Sequence, residues 1–203
     1  MTTIARPGLG DHAPYYGRYV EQVTGDDVLA TLEAQVEETA ALLAAIPPSA
    51  ESFAYAPGKW SFREVAGHLV DTERVFAFRC LHMARGDRAP LPGMEQDEWA
   101  AGSNAGARPL PDHVDDLRAV RHATLTLLRG LDEAAFERRG SASGVEFAVR
   151  AFPWIVAGHE RHHLTILRER YLPALEKAAP EGSPAAEGGG TSTAADGAGA
   201  SAR

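Results

Sequence analysis

The chain is short of several things, and each shortage removes a class of protein. It has a single cysteine, Cys80. No intrachain disulfide can form, and no cysteine-built zinc site is available. As a nucleophile Cys80 would need an activating partner; the other reading is a small apolar residue inside a helix. No apolar run approaches the about 20 residues of a membrane span. The opening residues, MTTIARPGLGDHAPYY, lack the apolar stretch of a signal peptide, so the expected location is cytoplasmic. Basic residues are outnumbered, 20 Lys and Arg against 28 Asp and Glu, which gives a formal net charge of −8. Nucleic-acid affinity rests on neutralising phosphates, and an acidic chain without a basic stripe is ill suited to it. β patterning is sparse as well. GVEFAVRAF alternates briefly, but an isolated strand has nothing to pair with.

What is present is enough for one substantial core. The 203 residues are 44% apolar and 24% charged, ordinary values for a globular domain. Residues 1–20 read as an irregular segment, though Tyr15, Tyr16, Tyr19 and Val20 could pack on the domain. Residues 176–203 are rich in Ala, Gly and Ser, with no large apolar residue after Leu175. That stretch cannot offset its ordering entropy by burial and reads as a disordered tail.

Residues 21–175 carry four segments of helical periodicity. The first runs from about Asp26 to Ile46, with a stripe through Val28, Leu32, Val36 and Leu43, and stops at Pro47-Pro48. The second starts at Ser61, where S-F-R-E is a capping box with Glu64 three residues on, and ends before Gly86. The third extends from about Pro111 to Gly130. The fourth runs from about Phe152 to Tyr171, closed by Pro173. Four amphipathic helices predict an all-α four-helix bundle. The Gly/Pro-rich link from Gly86 to Leu110 is long enough to be a crossover between parallel neighbours, and links of that length are often functional.

The histidines interrupt the apolar face of this pattern. GHERHH, residues 158–163, contains H-E-x-x-H, the spacing of a zinc-peptidase signature. His159 and His163, four residues apart, lie within roughly 40° on a helix and one turn apart along it. They share an arc with Ile155, Val156 and Ile166 and so face inward. A lone inward histidine is usually a hydrogen-bonded core residue. Two of them leave ring nitrogens that a shared cation would satisfy. His68, on the face of Val65, Thr72 and Phe76, also points inward. Three inward histidines from two helices can form a facial set with coordination positions left open. His12, His82, His113 and His122 read as surface or structural. His162 fits a supporting place around the site or in a substrate pocket. A peptidase would need a further ligand downstream, and no histidine follows His163.

The runs YAPGKWSFREVAGHLVDTERVFAFRCLHMARGD, LPGMEQDEW and WIVAGHERHHLTILRERYL resemble the DinB/YfiT-like superfamily, over about residues 15 to 173. The W-S helix start, G-H-L-x-D-x-E-R and G-H-E-x-H-H stand in the family's order. The resemblance implies an up-down-down-up four-helix bundle with a long crossover between the second and third helices. It also implies a metal triad of His68, His159 and His163. It implies a metal-dependent enzyme, either a hydrolase or a transferase of low-molecular-weight thiols, acting on a small molecule, with homodimers frequent in the family. Zinc is the expected metal and nickel an alternative, since imidazole suits both. Such a cation could activate water or bind a thiol as its thiolate.

Asp71, one turn after His68, could orient it or pair with Arg74 or Arg170 on the surface. Glu160 could serve as a general base or face solvent. Asp97 and Trp99 in the crossover could close the pocket, and Trp60 could anchor packing. The competing functional reading is a stress-related binding module whose metal is structural.

Overall fold

The computed structural model describes residues 3–178. The disordered tail expected from the sequence lies, from residue 179 onward, outside the described residues. Eight helices, α1 to α8 in chain order, and a short hairpin make up the described chain. They are α1 (Pro14–Val20), α2 (Val28–Ala44), α3 (Phe62–Ala84), α4 (Gln96–Gly102), α5 (Leu110–Arg129), α6 (Glu133–Phe136), α7 (Ala151–Ile166) and α8 (Leu172–Ala178). The fold is the expected four-helix bundle, built from α2, α3, α5 and α7. α2 and α3 each pack against both α5 and α7, which sets α2 across the bundle from α3.

Local chemistry fixes where the long helices begin. The Asp27 side chain accepts a bond from Ala30 N at 3.0 Å and caps α2. At α3 the capping box is complete: Glu64 N donates to Ser61 Oγ, and Ser61 N donates to Glu64 Oε2 at 2.7 Å. Pro47 and Pro48 end the first segment because proline lacks the donor a helix needs. The apolar stripes then meet. Leu32, Phe62, Trp154, Ile155 and Leu164 are sealed from solvent. Each such side chain contributes about 1.5–3 kcal/mol of burial free energy.

Three local features depart from the sequence expectations. The N-terminal segment is not irregular throughout, because Pro14–Val20 forms α1, which lies along α7. Its three tyrosines pack on the domain and on one another. The alternating stretch does find a strand partner, just upstream. Arg139–Ala142 and Val145–Ala148 pair antiparallel as β1 and β2, in register Arg139↔Ala148 to Ala142↔Val145. The turn between them is Ser143-Gly144, both at positive φ (55° and 73°), the combination that matches the twist of a two-residue hairpin. RGSA carries almost no strand propensity, so the turn and not the strand was the available signal.

Third, Pro173 does not end the last helix. The backbone widens into a π-helical turn over Leu167–Tyr171 and then resumes as α8 through Ala178. A widened turn relieves the clash of a proline ring with the carbonyl four residues back.

The link between α3 and α5 is only partly a loop. Leu91 bonds into the hairpin, donating to Ser141 O at 2.9 Å and accepting from Ser143 N at 3.1 Å. α4 follows and lies against α3. The crossover is thereby pinned along the side of α3 that carries His68.

Candidate metal centre

α3 and α7 deliver three histidines to one point. His68 is in the second turn of α3; His159 and His163 are one turn apart on α7. One ring nitrogen from each lies within 4.8 Å of the others. His68 Nε2 and His159 Nε2 are 3.1 Å apart. Two nitrogens on one tetrahedral zinc at about 2.0–2.1 Å would stand roughly 3.3 Å from each other. The Thr72 hydroxyl sits 3.4 Å from His68 Nδ1, one turn along α3.

The surroundings keep these rings neutral. Burial lowers the His68 pKa to about 4, a fall partly offset by the charge of Asp97. Burial, reinforced by His68 and His162, takes His163 down to about 3. His159 is depressed well below its ordinary value, by burial first and then by its three histidine neighbours. A neutral imidazole keeps a lone pair available, which is the form that binds a metal.

Two glycines make the approach of other elements possible. A Cβ on Gly67 would stand 2.6 Å from the Ala105 Cβ, so the crossover packs directly on α3 beside His68. A Cβ on Gly158 would stand 1.9 Å from the Tyr19 carbonyl oxygen. That contact lets α1 press on α7 and brings the Tyr19 ring edge-on to His159, with centroids 5.4 Å apart. Trp60 covers His68 from the other side at 4.7 Å, a role in the wall of the site and not only in packing. His162 is half-buried against Tyr19, beside the three and not among them.

Glu160 turns away from the histidines. It is 2% exposed, and both oxygens are engaged: Oε1 accepts from Thr39 Oγ1 at 2.5 Å and Oε2 from Arg121 Nη2 at 2.7 Å. Arg121 also makes a two-pronged pair with Glu73, both contacts at 2.9 Å, and donates to Leu32 O. One guanidinium thus ties α2, α3, α5 and α7 together at mid-bundle. Burial alone would lower the Arg121 pKa, but Glu160 and Glu73 outweigh it and the pKa rises. Gln35 adds a bond from α2 to Ala157 O at 3.0 Å. These contacts fix the rotation of α7 and with it the direction of His159 and His163. Glu160 is therefore placed to hold the site's framework, and a base role would require breaking a buried ion pair. Asp71 also stands outside the cluster, in a half-exposed pair with Arg74 at 3.3 Å.

His68 and His159 line an open cleft of about 580 Å³. Tyr15, Tyr16 and Tyr19 form one wall, and the segment Met94–Glu98 forms the rim. Asp97 is on that rim. Trp99 faces an adjoining apolar groove instead. The remaining histidines stand apart from the cleft. His113 is buried and bonds Ala105 O, His12 bonds Ala13 O, and His82 pairs with Asp87 at 3.2 Å. The Arg121 network and the α1 wall are the parts that sequence periodicity did not reveal. The Ser-Gly turn and the glycines before His68 and His159 were the available hints. Cys80 is buried in the core, and burial raises its pKa to about 12, so it stays a thiol.

Known proteins share this fold and parts of this sequence. A curated relative from Geobacillus thermodenitrificans (strain NG80-2), named "Putative metal-dependent hydrolase", is 25% identical over 111 residues, 54% of this chain. The match spans 62% of that relative's length. YfiT from Bacillus subtilis, described as a probable metal-dependent hydrolase with an unusual four-helix bundle topology, superposes with a TM-score of 0.62. It shares 16% identity, over 82% of this chain and 91% of YfiT. A mycothiol-dependent maleylpyruvate isomerase superposes with a TM-score of 0.59 at 11% identity, over 72% of this chain and 61% of its own. These two likenesses show the fold. The sequence profile of the DinB superfamily matches residues 31–167, from within α2 to the end of α7 and including all three histidines, and the chain belongs to that superfamily.

Proposed function

We propose that this protein is a metal-dependent enzyme of the DinB type, with a divalent cation held by His68, His159 and His163. Zinc is the first expectation and nickel the second. The carrying observation is the convergence of three neutral imidazoles at one point, two of which, His68 and His159, line an open cleft. The donor set fits a cation: no carboxylate competes for these nitrogens, and two already stand at near-ligand spacing. When bound, such a cation supplies Lewis acidity to a thiol or a water. The residues around it do the rest. Thr72 and Trp60 orient His68, and Tyr19 holds His159. The tyrosine wall keeps bulk water off one side of a small substrate, and the Met94–Glu98 rim is the entrance.

The reaction class we favour is transfer of a low-molecular-weight thiol, with hydrolysis as the alternative. A structural neighbour named for mycothiol dependence supports the first, and relatives named as hydrolases support the second. A purely structural metal fits less well, because a structural site is closed by protein ligands and this one opens on a cleft.

Metal analysis of purified protein tests the reading. About one equivalent of zinc or nickel is expected, and it should be lost in His159→Ala and His163→Ala. Cobalt-substituted protein should develop a thiolate-to-metal absorption band on adding a thiol. Wild-type protein unable to take up any of these metals would end the proposal.

A further inference from the structure

Arg79 is the second buried arginine of the cleft region, and its surroundings differ from those of Arg121. It is 4% exposed and lines the same cleft as His68 and His159. Arg121 has two carboxylates, whereas Arg79 pairs with none among the described residues. Its Nη2 donates to Pro92 O at 2.9 Å and to Ser143 Oγ at 3.1 Å. Among the described residues Nε and Nη1 donate to no carboxylate or carbonyl, and the side chain lines the cleft. The Tyr16 hydroxyl stands beside the guanidinium and is kept neutral by burial. Glu95, Asp97 and Glu98 are the nearest acidic side chains of the lining; they are exposed on the rim and none is within ion-pair distance. A buried cation without a counter-ion is costly, and proteins seldom keep one that nothing binds.

Ser143 supplies a second, independent observation. It occupies the first central position of the hairpin turn at φ 55°, where Asn, Asp or Gly is favoured. Serine there strains the turn while placing a hydroxyl in the cleft lining against Arg79. Because that oxygen accepts from Arg79, its own proton is free to donate to an anion. A guanidinium fork whose only close polar neighbour among the described residues, besides Pro92 O and Ser143 Oγ, is the neutral Tyr16 hydroxyl, plus the Ser143 hydroxyl, matches a carboxylate.

We propose that Arg79 and Ser143 form a carboxylate-binding subsite, so that the cleft takes small organic acids whose other end reaches the three histidines. Arg79 follows His68 by eleven residues on α3, about 16 Å of helix rise. The side chain bends back over Phe76, with Cζ 5.6 Å from the ring centre. That leaves roughly 10 Å from the guanidinium to the histidines, the reach of a chain of about eight atoms. The second half of the proposal rests on the metal reading above; the carboxylate subsite does not.

The experiment titrates metal-stripped full-length protein with suberate and, as a neutral control, 1,8-octanediol. The Arg79 side-chain Nε–Hε resonance is read by NMR, assigned by its loss in Arg79→Lys. Suberate should shift it saturably and the diol should not. Arg79→Gln should weaken suberate at least tenfold, and Ser143→Gly should weaken it while raising the melting temperature. If Arg79→Gln does not fold, Arg79→Lys and Ser143→Gly carry the same comparison. An unmoved Arg79 resonance, or equal suberate affinity in wild type and the Arg79 variants, overturns the subsite. Zinc should tighten suberate when the histidines hold it. Failure to bind zinc, nickel or cobalt overturns the metal reading, and the metal-free titration then decides the Arg79 subsite by itself.

Discussion

Replacing Arg121 by methionine removes the one cation shared by two buried carboxylates. Arg121 is 1% exposed, makes three contacts to Glu73 and Glu160, and donates a fourth bond to Leu32 O. Methionine fills most of the volume, so the loss is electrostatic more than steric. Breaking a buried pair from one side costs about 3–5 kcal/mol, because the remaining charge stays desolvated. Here two carboxylates are stranded, so the cost should reach or exceed the upper end. A domain of this size is stable by about 5–15 kcal/mol and loses about 2–4 °C of melting temperature per kcal/mol. The expected drop is therefore about 10–20 °C.

Urea unfolding of metal-stripped protein at pH 7.5 avoids any contribution from metal binding. The triple variant Glu73→Leu, Arg121→Met, Glu160→Leu should recover most of the loss, since it leaves no orphaned charge. The reasoning fails if Arg121→Met melts within about 2 °C of wild type, or if the triple variant is no more stable than the single one. Because the same network orients α7, Arg121→Met that remains folded should bind zinc more weakly than wild type.

Acid should destabilise the metal-free protein through its histidines. Their folded pKa values are depressed below the unfolded 6.5, so the unfolded chain binds more protons as pH falls. Stability is full above pH 6.5, declines below it, and levels off near the folded values of about 4 and about 3. For His68 alone the fall from 6.5 to about 4 corresponds to about 3 kcal/mol. Urea midpoints from pH 7.5 to 4.5 measure it; His68→Gln should decline less steeply than wild type, and an unchanged decline would refute the assignment. Gly158→Ala should cost about 1–3 kcal/mol or more, because the new Cβ meets Tyr19 backbone atoms that cannot rotate away. Faster tryptic cleavage at Arg18 would report the displaced α1, and unchanged cleavage and melting would refute the close packing.

The bundle helices were legible because their signals are local. Asp27, the Ser61–Glu64 box and Pro47-Pro48 mark boundaries within a few residues of where the chain turns. The inward direction of His68, His159 and His163 was legible for the same reason: each lies on its own helix's apolar stripe. Glu160 was not. It lies next to His159 in a motif that in other proteins supplies a base, and only the position of α5 reveals that Arg121 claims it. Arg121 carries no sequence signal of its own, and its role shows only where two carboxylates from other helices surround it. The hairpin stayed hidden because its first strand is RGSA, and α1 because seven residues are too few to show a period.

Sequence alone therefore determined the helices, their apolar faces and the three inward histidines, since periodicity and capping depend on neighbours within one or two turns. Tertiary structure alone decided which polar side chains serve the cleft and which serve the frame. A charged residue goes where its partner is, and the partners of Glu160, Arg121 and Tyr19 lie on other elements. Their positions depend on how the helices rotate against one another, which no single segment encodes.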